Sequence, residues 1–132
     1  MIKSSQQLVT EAKAQIQETT VQQLQSVLKD HQTILIDVRE PDEFSQGRVD
    51  RAVNFPRGML EMKIHQHPAV VAHCDAAAAL QAIAEKPVYL MCRSGARSAL
   101  AALSLQQMGF TQVYSVAGGF QAWVDAGYSV EA

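Results

Sequence analysis

Pro87-Val88-Tyr89-Leu90-Met91-Cys92, then Arg93-Ser94-Gly95-Ala96-Arg97-Ser98, then Ala99-Leu100-Ala101-Ala102-Leu103-Ser104-Leu105-Gln106-Gln107-Met108-Gly109 is the stretch on which the fold turns. Its first part is a short apolar run with no polar face, which predicts a strand buried on both sides. From Ser98 to Met108, Ala99, Leu100, Ala102 and Leu103 recur at helical spacing, and Gly109 supplies a left-handed cap just past the end. A strand, a tight loop and a helix therefore follow one another directly.

Working outward, the same alternation continues. Thr33 to Val38 is a second buried strand, Ala52 to Phe55 a brief third and Val113 to Val116 a fourth. Thr20 caps a helix whose Val21, Leu24, Val27 and Leu28 share a face, and Pro41 suits the first turn of a short helix through Phe44. Asp75 caps the Ala-rich helix Ala76 to Glu85. Gly118-Gly119 breaks the chain before a last helix from Phe120 to Asp125, which Gly127 ends. Ser4 or Ser5 caps a polar N-terminal helix through about Gln15. Its sparse apolar positions, Leu8, Ala12 and Ile16, predict a loosely docked appendage over residues 1–15, ahead of one domain over 16–132. Strands alternating with helices predict an α/β fold with a mainly parallel sheet covered on both faces, and such sheets bind ligands beyond the carboxyl ends of their strands.

Composition agrees with a single core. The 132 residues have 48% hydrophobic and 18% charged content, with 11 Lys+Arg against 13 Asp+Glu for a net charge of −2. A chain of this mass exposes about 6,800 Å² when folded against about 21,000 Å² unfolded, so it can bury a sizeable core without disulfides or metal. The near-neutral balance excludes the basic stripe of a nucleic-acid or anionic-membrane binder. Two cysteines, Cys74 and Cys92, do not make a disulfide framework, and the Gln/Ser/Thr-rich first twenty residues lack a signal-peptide apolar run. No window approaches the ~18 apolar residues of a membrane span. The expectation is a cytoplasmic protein.

Chemistry concentrates at Cys92-Arg93-Ser94-Gly95-Ala96-Arg97-Ser98. A helix N-terminus carries partial positive charge and unpaired N–H groups, Gly95 permits a sharp turn, and Arg93 and Arg97 add two cations. Successive amides around such a turn form an anion-binding nest. These surroundings favour the thiolate, the nucleophilic form of cysteine. The bland alternative, a buried strand-end cysteine beside two solvated arginines, explains less of this composition.

Three segments carry a resemblance. Ile36-Asp37-Val38-Arg39-Glu40-Pro41-Asp42-Glu43-Phe44, the loop from Cys92 to Ser98, and Ala117-Gly118-Gly119-Phe120-Gln121-Ala122-Trp123 resemble the signature segments of the rhodanese family, in its order and spacing, from about Ile16 to the C-terminus. The resemblance implies a rhodanese-like open five-stranded parallel sheet with helices on both faces. It implies that Cys92 carries sulfur as a persulfide, that Arg93, Ser94, Gly95, Ala96, Arg97 and Ser98 bind the substrate through cradle amides, and that Arg93 and Arg97 attract an anionic donor. Asp37 matches the family's acidic strand-end residue, and Arg57 to Ile64 resembles a helix of a single-domain subset; if that helix borders the pocket Arg57 faces the donor, and otherwise Arg57 is a solvated helix-start arginine. The implied activity is a thiosulfate sulfurtransferase with no metal and no organic cofactor. It would move sulfur from thiosulfate or a persulfide to a thiol, cyanide or a sulfur-relay protein. Gly47-Arg48-Val49-Asp50-Arg51-Ala52 departs from the family's G-H-I-x-G-A by placing arginines where a histidine and a glycine are usual, which puts the local turn geometry in question.

Two rival readings remain. Related folds use a Cys-plus-Arg loop for phosphatase or arsenate reductase chemistry, but the loop from Cys92 to Arg97 has six residues where the related dual-specificity phosphatases use seven. A non-catalytic docking module is the other, since fold alone does not fix function. His65, His67 and His73, with Cys74 adjacent, have the chemistry of zinc ligands at a spacing that matches no common zinc pattern, and read as a solvated loop. Cys74 reads as a packed thiol, Trp123 and Tyr114 as core or rim packing, and Met59, Met62, Met91 and Met108 as apolar filler.

Overall fold

A computed structural model describes residues 1–73 and 75–132. The expectation for Cys74 lies outside the described residues. The elements in chain order are α1 (Ser5–Lys13), β1 (Gln17–Thr19), α2 (Val21–Val27), β2 (Ile34–Asp37), α3 (Pro41–Gln46), β3 (Val53–Asn54) and α4 (Leu60–Lys63). After a 3-10 turn over Ile64–Gln66 come α5 (Ala76–Ala84), β4 (Val88–Met91), α6 (Ala96–Met108), β5 (Val113–Val116) and α7 (Gly119–Asp125).

The five strands form one sheet in the order β1-β5-β4-β2-β3, every pair parallel. The four residues of β2 and the four of β4 are all buried. Alternate side chains feed two cores, as a sheet covered on both faces requires. Ile34, Ile36, Val88, Leu90 and Val113 pack with Leu60, Ile64, Ile83 and Leu105. Leu35, Tyr89, Met91 and Val116 pack with Val21, Leu24 and Trp123. The exposed area of 7178 Å² is close to what the chain's mass alone predicts.

The expected caps are in place. Ser4 accepts from the Gln7 N–H, Thr20 from Gln23 and Asp75 from Ala78, while Gly109 takes the left-handed conformation after α6. α6 begins at Ala96, two residues before the expected Ser98, so the arginine of the loop already lies in its first turn. β1 has no counterpart in the apolar pattern. Gln17-Glu18-Thr19 is a polar edge strand held by register with Tyr114, Ser115 and Val116, so backbone pairing rather than side-chain burial makes it. α1 packs along α6 and buries Ala12 completely, while Leu8 stays 47% exposed.

Arg51, which stands where the family usually has glycine, adopts a left-handed φ of 74°. Its guanidinium donates to the carbonyls of Leu28, Asp30, His31 and Thr33, the last at 2.8 Å. These bonds tie the end of α2 and the entry to β2 to the turn before β3, and they offset the backbone strain. Of the methionines read as filler, only Met91 is buried. Met59, Met62 and Met108 are 41%, 62% and 41% exposed, because each sits on the outward side of its helix end or turn.

Candidate active site

Cys92 follows the last residue of β4 and is 1% exposed. The chain then turns sharply through Gly95, at φ 104°, which is also the N-cap of α6. The turn aims the Gly95 N–H at the Cys92 sulfur, 3.0 Å away. On the other side the Ser98 hydroxyl lies 3.5 Å from that sulfur and 2.8 Å from the Ser115 hydroxyl, and both serines are fully buried. Two hydroxyls bring two protons. With sulfur as an anion, Ser115 donates to Ser98 and Ser98 donates to sulfur, so both protons are used. The arrangement therefore suits negative charge on Cys92 or on an atom bonded to it.

A second turn clamps this loop. The Phe120 and Gln121 N–H groups donate to the Cys92 and Arg93 carbonyls at 2.8 and 3.0 Å. Gly119, at φ 57°, lets the two backbones approach this closely. The start of α7 thus fixes the path of the residues that surround the sulfur.

Charged side chains brace both turns. Buried Arg39 binds Asp37 through Nε at 3.0 Å and Nη2 at 2.8 Å, donates from Nη2 to the Gly47 carbonyl at 2.7 Å, and lies 4.1 Å from the Phe120 ring centroid. The Arg39 N–H also donates to Asp37 at 2.9 Å. Asp37 thus meets Arg39 and not the cradle, and the pair joins the end of β2 to α7. Arg97 donates to Glu43 with both prongs, at 2.7 and 3.1 Å. That bond, foremost, holds the Glu43 carboxyl down to about 2, so it is ionised at any working pH. Arg93 is exposed. Outside the loop lies a cavity of about 500 Å³ lined by Arg39, Glu43, Gln46, Arg93, Phe120 and Gln121, among others.

Residues 20–126 match the family described as Rhodanese-like domain. The chain belongs to the rhodanese family. It is 36% identical over 89 residues to an uncharacterized Bacillus subtilis protein, YqhL, covering 67% of this chain and 59% of that one. It is 29% identical over 114 residues to the thiosulfate sulfurtransferase GlpE of Glaesserella parasuis, covering 86% and 92%. A solved Rhodopseudomonas palustris structure, described as a protein of unknown function and possible tyrosine phosphatase, superposes with a TM-score of 0.80 at 29% identity, covering 99% of this chain and 96% of that one. The chain thus spans less than two thirds of the Bacillus relative's length.

In this rhodanese the structure gathers Cys92, Gly95 and Ser98 around one point, with Ala96 and Arg97 in the first turn of α6 and Arg93 and Ser94 on the exposed side of the loop. Arg97, expected to face a donor, is engaged by Glu43. Arg57, half-buried, donates to Glu61 at 3.0 Å, and Glu61 also accepts from Ser104 of α6, so Arg57 ties α4 to α6. The sequence alone does not single out Ser115, Glu43 or the bracing role of Arg39. Glu43 and Arg39 stand inside the first signature segment, which is the signal the sequence offers for them.

The solvated-loop expectation for the histidines is corrected at His67, which is 6% exposed. Its Nδ1 accepts from the Ala69 N–H at 3.0 Å, its ring meets Phe55 edge-on, and its buried Nε2 has no partner among the described residues. Burial pushes its pKa down to about 4. The Ala69 N–H holds the His67 ring and the Val70 N–H its carbonyl, a local turn that spacing alone does not reveal. His65 is half-buried and His73 exposed. Among the described residues no three metal-ligating side chains converge, and no helix is long and apolar enough to cross a membrane.

Proposed function

We propose that this rhodanese is a sulfurtransferase that carries sulfane sulfur on Cys92. The observation that carries the reading is the Gly95 N–H directed at the Cys92 sulfur from 3.0 Å at the head of α6, in a loop of the family's signature composition. The Cys92 thiolate attacks the outer sulfur of a donor. With thiosulfate, a bond forms between the two sulfurs, the donor's S–S bond breaks, and its electron pair leaves with sulfite. The product is a Cys92 persulfide anion. A thiolate or cyanide then attacks the outer sulfur, leaves as a persulfide or thiocyanate, and returns the electron pair to Cys92. Both steps balance without a further co-reactant. Thiolate and persulfide are each monoanions, so one set of preorganised donors serves both. Arg93, exposed at the loop's start, draws in the anionic donor. A small thiol or a sulfur-relay protein is the acceptor class, in a compartment reducing enough to keep the resting thiol free.

The test is thiocyanate formation from thiosulfate and cyanide. Cys92→Ser should abolish it and Cys74→Ser should retain most of it. Appreciable turnover by the Cys92 variant would overturn the assignment. The Rhodopseudomonas neighbour's description favours aryl phosphate hydrolysis as the second reading. A six-residue loop closes amides around one sulfur more readily than around a phosphoryl group. An aryl phosphate hydrolysed faster than sulfur is transferred would establish the second reading instead.

A further inference from the structure

Glu43 faces Arg97 with both carboxylate oxygens and is itself fixed from behind, because Oε1 accepts the Glu40 N–H at 3.0 Å in the first turn of α3. Arg39 is matched in the same way by Asp37. Arg93 lies in no ion pair among the described residues, and it lines the same cavity as Glu43 and Arg39. The arginines around the loop therefore present one uncompensated positive charge to an approaching donor, although three are nearby.

From this pairing we infer that Glu43 is a specificity-determining residue, one that discriminates against doubly charged sulfur donors such as thiosulfate and leaves the site suited to singly charged persulfide donors. A dianion reaching for Arg97 must break a two-pronged, charge-assisted pair and then lie beside the displaced carboxylate. A monoanion is matched by Arg93 and the loop amides alone. The inference rests on the sulfurtransferase reading and names the donor class for that site.

Glu43→Gln is the discriminating variant, since Gln keeps the shape, the acceptor for the Glu40 N–H and one acceptor for Arg97 while removing the charge. The readout is the ratio of kcat/KM for thiosulfate to kcat/KM for 2-hydroxyethyl persulfide, a singly charged donor. The ratio should rise about fivefold or more in the variant, as removal of a like charge beside a dianion requires. An unchanged or lower ratio overturns the inference, because a residue that only holds Arg97 in place affects both donors alike. A second arm needs no turnover. Calorimetric titration of thiosulfate into Cys92→Ser, with and without Glu43→Gln, should show tighter binding in the double variant. Sulfur transfer by the native protein with no gain in that affinity refutes the charge discrimination alone. A gain in affinity with no sulfur transfer from either donor supports the charge discrimination and refutes the sulfurtransferase reading.

Discussion

Gly119 lies so close to Cys92 that a Cβ built on it would sit 2.3 Å from the Cys92 carbonyl oxygen and 2.7 Å from the Arg93 carbonyl carbon. Both neighbours are backbone, so neither can swing aside. Gly119→Ala should therefore cost at least about 1–2 kcal/mol for the left-handed backbone alone, with the clash in addition. It should also lower sulfur transfer by moving the loop. Urea melts together with thiocyanate assays check this. A variant with native midpoint and native activity would show that the clamp is not needed.

Ser115 reaches the sulfur only through Ser98, at 2.8 Å from that hydroxyl. Ser115→Ala removes the hydroxyl that orients Ser98, and a hydrogen bond of this kind is worth about 1 kcal/mol, roughly fivefold in rate. The rate of Cys92 alkylation at one fixed pH, in a Cys74→Ser background, separates this role from packing. The rate should fall in Ser115→Ala and return in Ser115→Thr. An unchanged rate would reduce Ser115 to a space-filling residue.

His67 gives a pH dependence of stability with a defined sign. Its folded pKa is held down to about 4 by burial, while the unfolded side chain titrates near 6.5. Below about 6.5 the unfolded chain takes up a proton that the folded chain refuses, so stability should fall from there toward about pH 4 and then level. His67→Asn retains an acceptor for the Ala69 N–H and should flatten the slope attributable to this residue. Denaturant melts at pH 7 and pH 5 on both proteins measure it. Equal slopes would remove His67 from the account.

How much could be read from the sequence depended on how local each cause was. β4, its loop and α6 were legible because an apolar run, a glycine and a helical period lie within one continuous stretch. The three signature segments extended this to the five-stranded sheet. β1 was hidden because Gln17-Glu18-Thr19 has no apolar signature and exists by pairing with β5. The Arg97–Glu43 pair joins residues 54 positions apart, so nothing near Arg97 announces that its charge is already matched. Likewise the burial of His67 follows from where the Phe55 ring lies, which only the folded chain defines. Local chemistry thus identified the nucleophile candidate, and tertiary pairing altered which arginine is free to meet a substrate.

Intact-mass spectrometry before and after exposure to a sulfur donor decides whether Cys92 carries sulfane sulfur. The protein should gain one sulfur atom, mapped by peptide analysis to Cys92, lost on addition of cyanide and absent in Cys92→Ser. A folded native protein that gains no sulfur from thiosulfate or from a small persulfide, or that gains it equally in Cys92→Ser, is not a Cys92 sulfur carrier.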